Sequence, residues 1–246
     1  MALQSVDASE GRIVIAQVHK HLRQQILDGT IPPGTILSQV QLAQQLGVSR
    51  TPLREALRLL QEERLVLAEH NHRVRVADIN LEEVESLYAS RIMLEPLALA
   101  LTIPHFTESD LDALAHTLQD MSAASAQHNT DAWEAANGRF HELLVIHAEE
   151  RMRGSIKRSI EASERYCRIK FQTIPNAREV AEAEHAAIFA ACCDRNVDSA
   201  VEQLALHLAR SSLIIIAHVD PEYEPTAVRT AVRIVAGKAN TSSPLK

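Results

Sequence analysis

The 246-residue chain has few aromatic residues, 3% of the total, and only seven glycines. So thin a supply of rings and permissive turn residues argues against a sheet-built fold. The 46% hydrophobic content comes largely from alanine and leucine, which favours packed helices. Cysteine is scarce as well: Cys167, Cys192 and Cys193 make an odd count, which excludes a fully paired disulfide framework. The adjacent Cys192 and Cys193 lack the C-x-x-C spacing of a redox or zinc pair. The most apolar run, around Leu213–Ala217, is too short to span a bilayer, and no signal-peptide pattern opens the chain. A reducing cytoplasm is the expected setting. Also missing are a glycine-rich phosphate loop, a G-x-S-x-G elbow and a Cys–His nucleophile arrangement.

Positive charge is in deficit overall, with a formal net charge of −7. The deficit is uneven. Residues 1–76 carry 9 Lys/Arg against 7 Asp/Glu, whereas residues 77–246 carry 16 against 25. The first segment is therefore the one suited to approach a phosphate backbone.

What that segment contains is the most informative stretch of the chain, Gln39–Arg58, reading QVQLAQQLGVSRTPLREALR. Ser38 is placed to cap a short helix with Leu42, Ala43 and Leu46 on its buried side. Gly47 sits where the chain leaves that helix, a position that favours left-handed backbone. Val48 plugs the turn and Ser49 caps a second helix, in which Pro52 is tolerated because it lies in the first turn. Arg50, Arg54 and Arg58 follow at steps of four and share a face with Thr51, beside an apolar stripe of Leu53, Leu57 and Leu60. One face buries and the other presents guanidinium groups able to bridge guanine O6 and N7, as a helix-turn-helix does in a major groove. An ordinary surface helix could carry three arginines, but not the ordered sequence of cap, glycine turn, second cap and early proline.

Around this motif, residues 1–11 read as a disordered start, and Ile13–Leu27 as a helix buried through Val14, Val18, Leu22 and Ile26. Ile31–Thr35 is a rigid turn. Leu65–Ala68 and Arg73–Val76 read as two strands of a wing, with Arg73 placed to reach DNA and Arg75 equally able to turn away from it. The expected fold is mainly α: a winged helix-turn-helix over residues 1–77, an all-α helical bundle over 78–220, and a tail over 221–246. In the bundle, Asn80 caps the first helix. Helices are expected at about residues 81–103, 108–127, 131–148, 151–173, 177–193 and 197–218, with Pro96 kinking or splitting the first. Val228–Val235 could add one more short helix.

Pro33-Gly34-Thr35, Leu42-Ala43, Leu46–Pro52 and Arg54-Glu55-Ala56-Leu57 resemble the N-terminal domain of GntR-family transcription regulators. Leu87-Tyr88, Arg91, Leu94-Glu95, Phe140-His141, Glu184-His185 and His207-Leu208 resemble the effector domain of that family's FadR/FCD branch. The resemblance implies a homodimer that reads double-stranded DNA through Ser49, Arg50, Thr51, Arg54, Arg58 and Arg73. It also implies a divalent metal, zinc or nickel, held by Asn137, His141, His185 and His207. Three positions depart from the branch's pattern. Arg64 and about Arg73 stand where it has wing glycines, and Asn137 stands where it commonly has aspartate. A neutral amide oxygen binds a cation more weakly than a carboxylate does.

Read without the resemblance, three histidines on three predicted helices do not by themselves separate metal ligands from ordinary buried or surface histidines. Asn137 and His141, four residues apart, do share one helix face. Arg91 lies on an apolar stretch and needs a partner: either Glu95, its i,i+4 neighbour, or the carboxylate of an effector, whose geometry suits guanidinium. Tyr88, Trp133 and Phe140 read as packing residues. The function expected is a ligand-responsive regulator that binds an inverted-repeat operator and answers to a small carboxylate. A metal-dependent hydrolase or lyase built on the three histidines is the alternative. It is disfavoured because the H-E-x-x-H pattern beginning at His141 meets Val145, and because it leaves the first domain without a role.

Overall fold

A computed structural model describes residues 5–27, 29–63, 65–69 and 73–237. The chain forms two compact units that divide between Ile79 and Asn80. Each is described by itself.

The first unit contains α1 (Ser5–Leu27), β1 (Ile36–Ser38), α2 (Gln39–Leu46), α3 (Arg50–Glu62), β2 (Val66–Ala68) and β3 (Arg73–Val76). The expected disordered start is corrected from Ser5 onward, where α1 already runs as helix. Val18, Leu22 and Ile26 of α1 bury against Leu53, Ala56, Leu57 and Leu60 of α3, and the burial of that shared stripe stabilises both helices. The Ser38 hydroxyl accepts from the Gln41 amide, and Gly47 ends α2 at φ 64°, where a side chain would be strained. Ser49 occupies the capping position of α3 with extended backbone, but its hydroxyl makes no capping bond. Because the apolar periodicity of three residues is too short to read, the sequence reading missed β1. It pairs antiparallel with β3, with Leu37 opposite Val74, giving the strand order β1-β3-β2. Arg64 and residues 70–72, between β2 and β3, lie outside the described residues, whereas Arg73, at about the second wing-glycine position, opens β3.

The second unit is a bundle of α4 (Leu81–Thr102), α5 (Glu108–Ala126), α6 (Thr130–Leu144), α7 (Glu150–Thr173), α8 (Ala177–Cys193), α9 (Val197–Val219) and α10 (Thr226–Ala236). Local hydrogen bonds set most of its boundaries. Asn80, Asn129 and Asn196 each accept from the backbone three residues on, and Thr107 forms a reciprocal capping box with Asp110. Two expectations are narrowed here, and the short helix expected at Val228–Val235 is present as α10. Pro96 does not split α4, which stays helical to Thr102: burial of Ile92, Glu95, Ala98 and Leu99 on both sides of the proline offsets the lost backbone bond. The segment from 221 is not a free tail as far as Gly237. The Glu85 carboxylate accepts from Tyr223 Oη at 2.8 Å and from the Ala227 amide, and so caps α10, whose Val228 and Ala231 are buried.

By length and mean hydropathy, Leu81–His105 and Val197–Val219 are each long and apolar enough to cross a membrane, contrary to the expectation drawn from the short Leu213–Ala217 run. About half of each apolar window is buried inside the unit (50% and 56%), and α4 carries buried Glu85, Arg91 and Glu95. Both are core helices of the bundle.

Candidate DNA-reading surface and effector cavity

In the first unit, Arg50, Thr51 and Arg54 of α3 line one groove with Arg73 of β3 and with Ser38, Gln39 and Gln41 at the start of α2. The groove measures about 610 Å³. Strand pairing brings Arg73 there: β1 carries Ser38 opposite Arg73, so the wing and the helix-turn-helix share an edge. The three arginines are exposed. Ser49, exposed and without a capping bond, keeps its hydroxyl free for a partner.

Arg58 sits differently. It lies on the same helix but does not line the groove, and its guanidinium is engaged by Glu55 at 3.2 Å and by Glu62. The i,i+4 row of arginines is thus real in periodicity but unequal in available charge. Arg75 is likewise taken up, by Glu69 at 2.5 Å.

In the second unit, α6, α8 and α9 bring His141, His185 and His207 together. All three are buried, and their ligand nitrogens lie within 4.8 Å of one another. His141 Nδ1 donates to Glu95 Oε2 at 3.0 Å, and His207 Nδ1 donates to Glu184 Oε2 at 2.8 Å. Those bonds fix the proton on Nδ1 and leave each Nε2 with a lone pair. His185 Nε2 lies 3.2 Å from His207 Nε2. Two nitrogens bound to one first-row cation stand about 3.0–3.4 Å apart for bonds of about 2.1 Å. The buried His185 Nδ1 has no hydrogen-bond partner among the described residues. Burial holds all three imidazoles below their usual pKa, so they are neutral, which is the ligating form. The donor set, its convergence and the carboxylates behind two of its members fit a divalent metal.

Beside the histidines is a small cavity of about 10 Å³, room for one water-sized body. Asn137, one turn before His141 on α6, is in its wall with His141 and His207. So are Arg91, Tyr88, Cys167, Lys170 and Ser211. Arg91 is 4% exposed and Glu95 1%. Arg91 donates from Nε and one terminal nitrogen to the two oxygens of Glu95, and from the other to Ser163 Oγ at 2.7 Å. Burial by itself would raise the Glu95 carboxyl; the Arg91 guanidinium and His141 instead bring it down to about 2. The expected partnership of Arg91 with Glu95 is therefore what the geometry shows, and a carboxylate arriving at Arg91 meets Glu95 as a competitor.

Several site residues escaped the sequence reading. Glu184 was noted only as the neighbour of His185, and Lys170, Cys167, Ser163 and Ser211 carried no spacing signal. Tyr88, read as packing, is buried in the cavity wall with its hydroxyl 3.7 Å from Cys167 Sγ. Trp133, also read as packing, donates from Nε1 to Glu182 at 2.8 Å.

Comparison with known proteins follows the same two units. Residues 14–76 match the family model of bacterial regulatory proteins of the gntR family, and residues 86–210 match the FCD domain. An uncharacterized HTH-type transcriptional regulator of Bacillus subtilis, YdhC, is 31% identical over 193 residues, covering 78% of this chain and 86% of the relative. The gluconate operon transcriptional repressor of B. subtilis is 29% identical over 129 residues, covering 52% of this chain and 53% of its own. Among solved structures, Escherichia coli McbR/YncC superposes with a TM-score of 0.64 at 21% identity, over 84% of this chain and 99% of that one. A transcriptional regulator from Rhodococcus sp. RHA1 does so with a TM-score of 0.63 at 25% identity, over 85% and 99%.

Proposed function

We propose that this chain, which belongs to the GntR family of transcription regulators and carries an FCD domain, is a cytoplasmic homodimer that reads an inverted-repeat operator and responds to a small carboxylate bound in its helical unit. The single observation that carries the reading is the groove shared by Arg50, Thr51, Arg54 and Arg73, on a helix-turn-helix attached to a bundle with a polar, histidine-lined cavity. An enzyme built on the histidines would leave that groove unexplained. Each head suits one half-site, and two heads suit half-sites about one helical turn apart. Selection of random double-stranded DNA on the purified protein, followed by gel-shift titration, is expected to return a two-fold symmetric sequence. Recovery of unselected DNA would overturn the reading.

Three apolar side chains on α4 support the dimer. Met93, Leu97 and Leu101 recur at steps of four and are 41%, 51% and 53% exposed. A repeated apolar stripe of this kind suits a self-complementary contact. Leu97→Glu is expected to shift the mass in solution from dimer to monomer, measured by light scattering. An unchanged mass would place the contact elsewhere.

The metal, when bound, would be held by His141, His185 and His207 with Asn137 at the edge, and would offer positive charge to an incoming anion. The chain's own part is to hold the ligands: Arg91 orients Glu95, Glu95 orients His141, and Glu184 orients His207. α4 begins two residues after the first unit ends and carries Tyr88, Arg91 and Glu95. A change in the cavity wall thus acts on the helix that leads to the DNA-reading unit. Effector binding then alters operator affinity by its preference between two states, typically about 1–3 kcal/mol.

His185→Ala is expected to lower the metal content of purified protein while leaving effector-free operator binding intact. Full occupancy by elemental analysis would remove His185 from the ligand set. Asn137→Asp, which adds a charge to the site, is expected to slow metal loss to a chelator. Equal loss rates would show that Asn137 is not a ligand.

A further inference from the structure

Two long cationic side chains face the effector cavity, and the structure treats them differently. Arg91 is engaged through all three of its nitrogens, two on the oxygens of Glu95 and one on the Ser163 hydroxyl. Lys170, on α7, is 5% exposed, and its Nζ donates to Ser211 Oγ at 3.0 Å and lies 4.5 Å from the centroid of the Phe171 ring. Among the described residues no carboxylate is paired with it. An ammonium has three protons to place, and one hydroxyl and a ring face answer it only in part. A buried cation left in that condition is costly, and the cost falls when an anion arrives. No acid lines the cavity, and Glu95 behind it is already committed to Arg91 and His141. Among the described residues that line the cavity, no carboxylate offsets the Lys170 amine.

We propose that Lys170 is the anchor for the effector's carboxylate, with Ser211 as the hydroxyl beside it, and that the effector is a small organic acid presenting one carboxylate to this position. The inference rests on the reading above, that the helical unit binds a small carboxylate. An anion docking on Arg91 has to displace Glu95 and strand a buried carboxylate. One docking on Lys170 displaces only a hydroxyl. The cavity, at about 10 Å³, admits no carboxylate until lining side chains move. Lys170 has a flexible four-carbon stem for that movement, whereas Arg91 is held at all three of its nitrogens.

The test uses the full chain and the sodium salts of acetate, lactate and gluconate, with sodium chloride at matched ionic strength. Thermal shift and calorimetry are read on wild type and on Lys170→Met, which keeps the length and removes the charge. Wild type is expected to be stabilised by at least one of the three salts beyond the chloride control. Lys170→Met is expected to melt at or above the wild-type temperature without ligand, and to bind that salt about tenfold more weakly or worse. Should the methionine variant fail to fold, Lys170→Gln, which is neutral and able to keep the bond to Ser211, is expected to lose the same binding. A variant that melts lower yet binds with wild-type affinity would make Lys170 a structural partner of Ser211 and overturn the assignment. If no salt moves the wild-type protein, the carboxylate reading of the helical unit fails, and the anchor with it. A wild-type response that survives in both variants would overturn the anchor alone.

Discussion

Arg54→Ala is expected to abolish specific operator binding while leaving the melting temperature unchanged. Arg54 is exposed, lies in the groove between α3 and the β1–β3 edge, and among the described residues forms no ion pair of the kind that Arg58 makes. Loss of a bidentate base contact costs about 1–3 kcal/mol, and in the proposed two-headed dimer the loss counts twice, or about 30-fold to more than 10⁴-fold in affinity. Arg58→Ala serves as the internal contrast. Its guanidinium is shared between Glu55 and Glu62, so its removal should change affinity far less and act mainly on the salt dependence. Gel-shift titration at two salt concentrations checks both. An Arg54→Ala protein that binds the selected operator like wild type would displace α3 from the reading role.

Arg91→Leu is expected to cause the largest loss of stability. The substitution leaves Glu95, 1% exposed, without the guanidinium that holds its carboxyl ionised at about 2. Breaking a buried pair from one side costs about 3–5 kcal/mol. For a chain of this size that lowers the melting temperature by about 6–20 °C. The double variant Arg91→Leu/Glu95→Leu should recover most of the loss, because no buried charge is then stranded. The single variant should also lose the proposed metal more readily, since Glu95 no longer orients His141. A single variant that melts with wild type would show that Glu95 is satisfied without Arg91.

The two substitutions differ in a way the sequence did not distinguish. Arg54 and Arg91 are both arginines beside an apolar helical stripe. Only the packing shows that the first faces solvent in a groove while the second is enclosed among α4, α6 and α7. The same holds for Arg54 and Arg58, identical in periodicity but unequal in free charge, because Glu62 lies one turn beyond Arg58 and its side chain is turned onto it.

What the sequence determined by itself was everything enforced by bonds spanning three or four residues. Ser38, Asn80, Thr107 with Asp110, Asn129 and Asn196 cap helices through their own next turn, and Gly47 takes a backbone conformation that costs other residues strain. Those signals placed the helix-turn-helix and six of the bundle's helices to within a few residues. What only the tertiary structure decided depends on groups far apart in the chain. β1 exists because β3 pairs with it across 37 residues of sequence from Leu37 to Val74. α10 is held because Glu85 reaches Tyr223 and Ala227. Glu95 stands behind His141, Glu184 behind His207, and Lys170 against Ser211, each pair joined across separate helices. A capping bond is favourable in the isolated turn, so its residues announce it. A buried charge is favourable only once its partner or its ligand is brought to it, and nothing in the local sequence records that meeting.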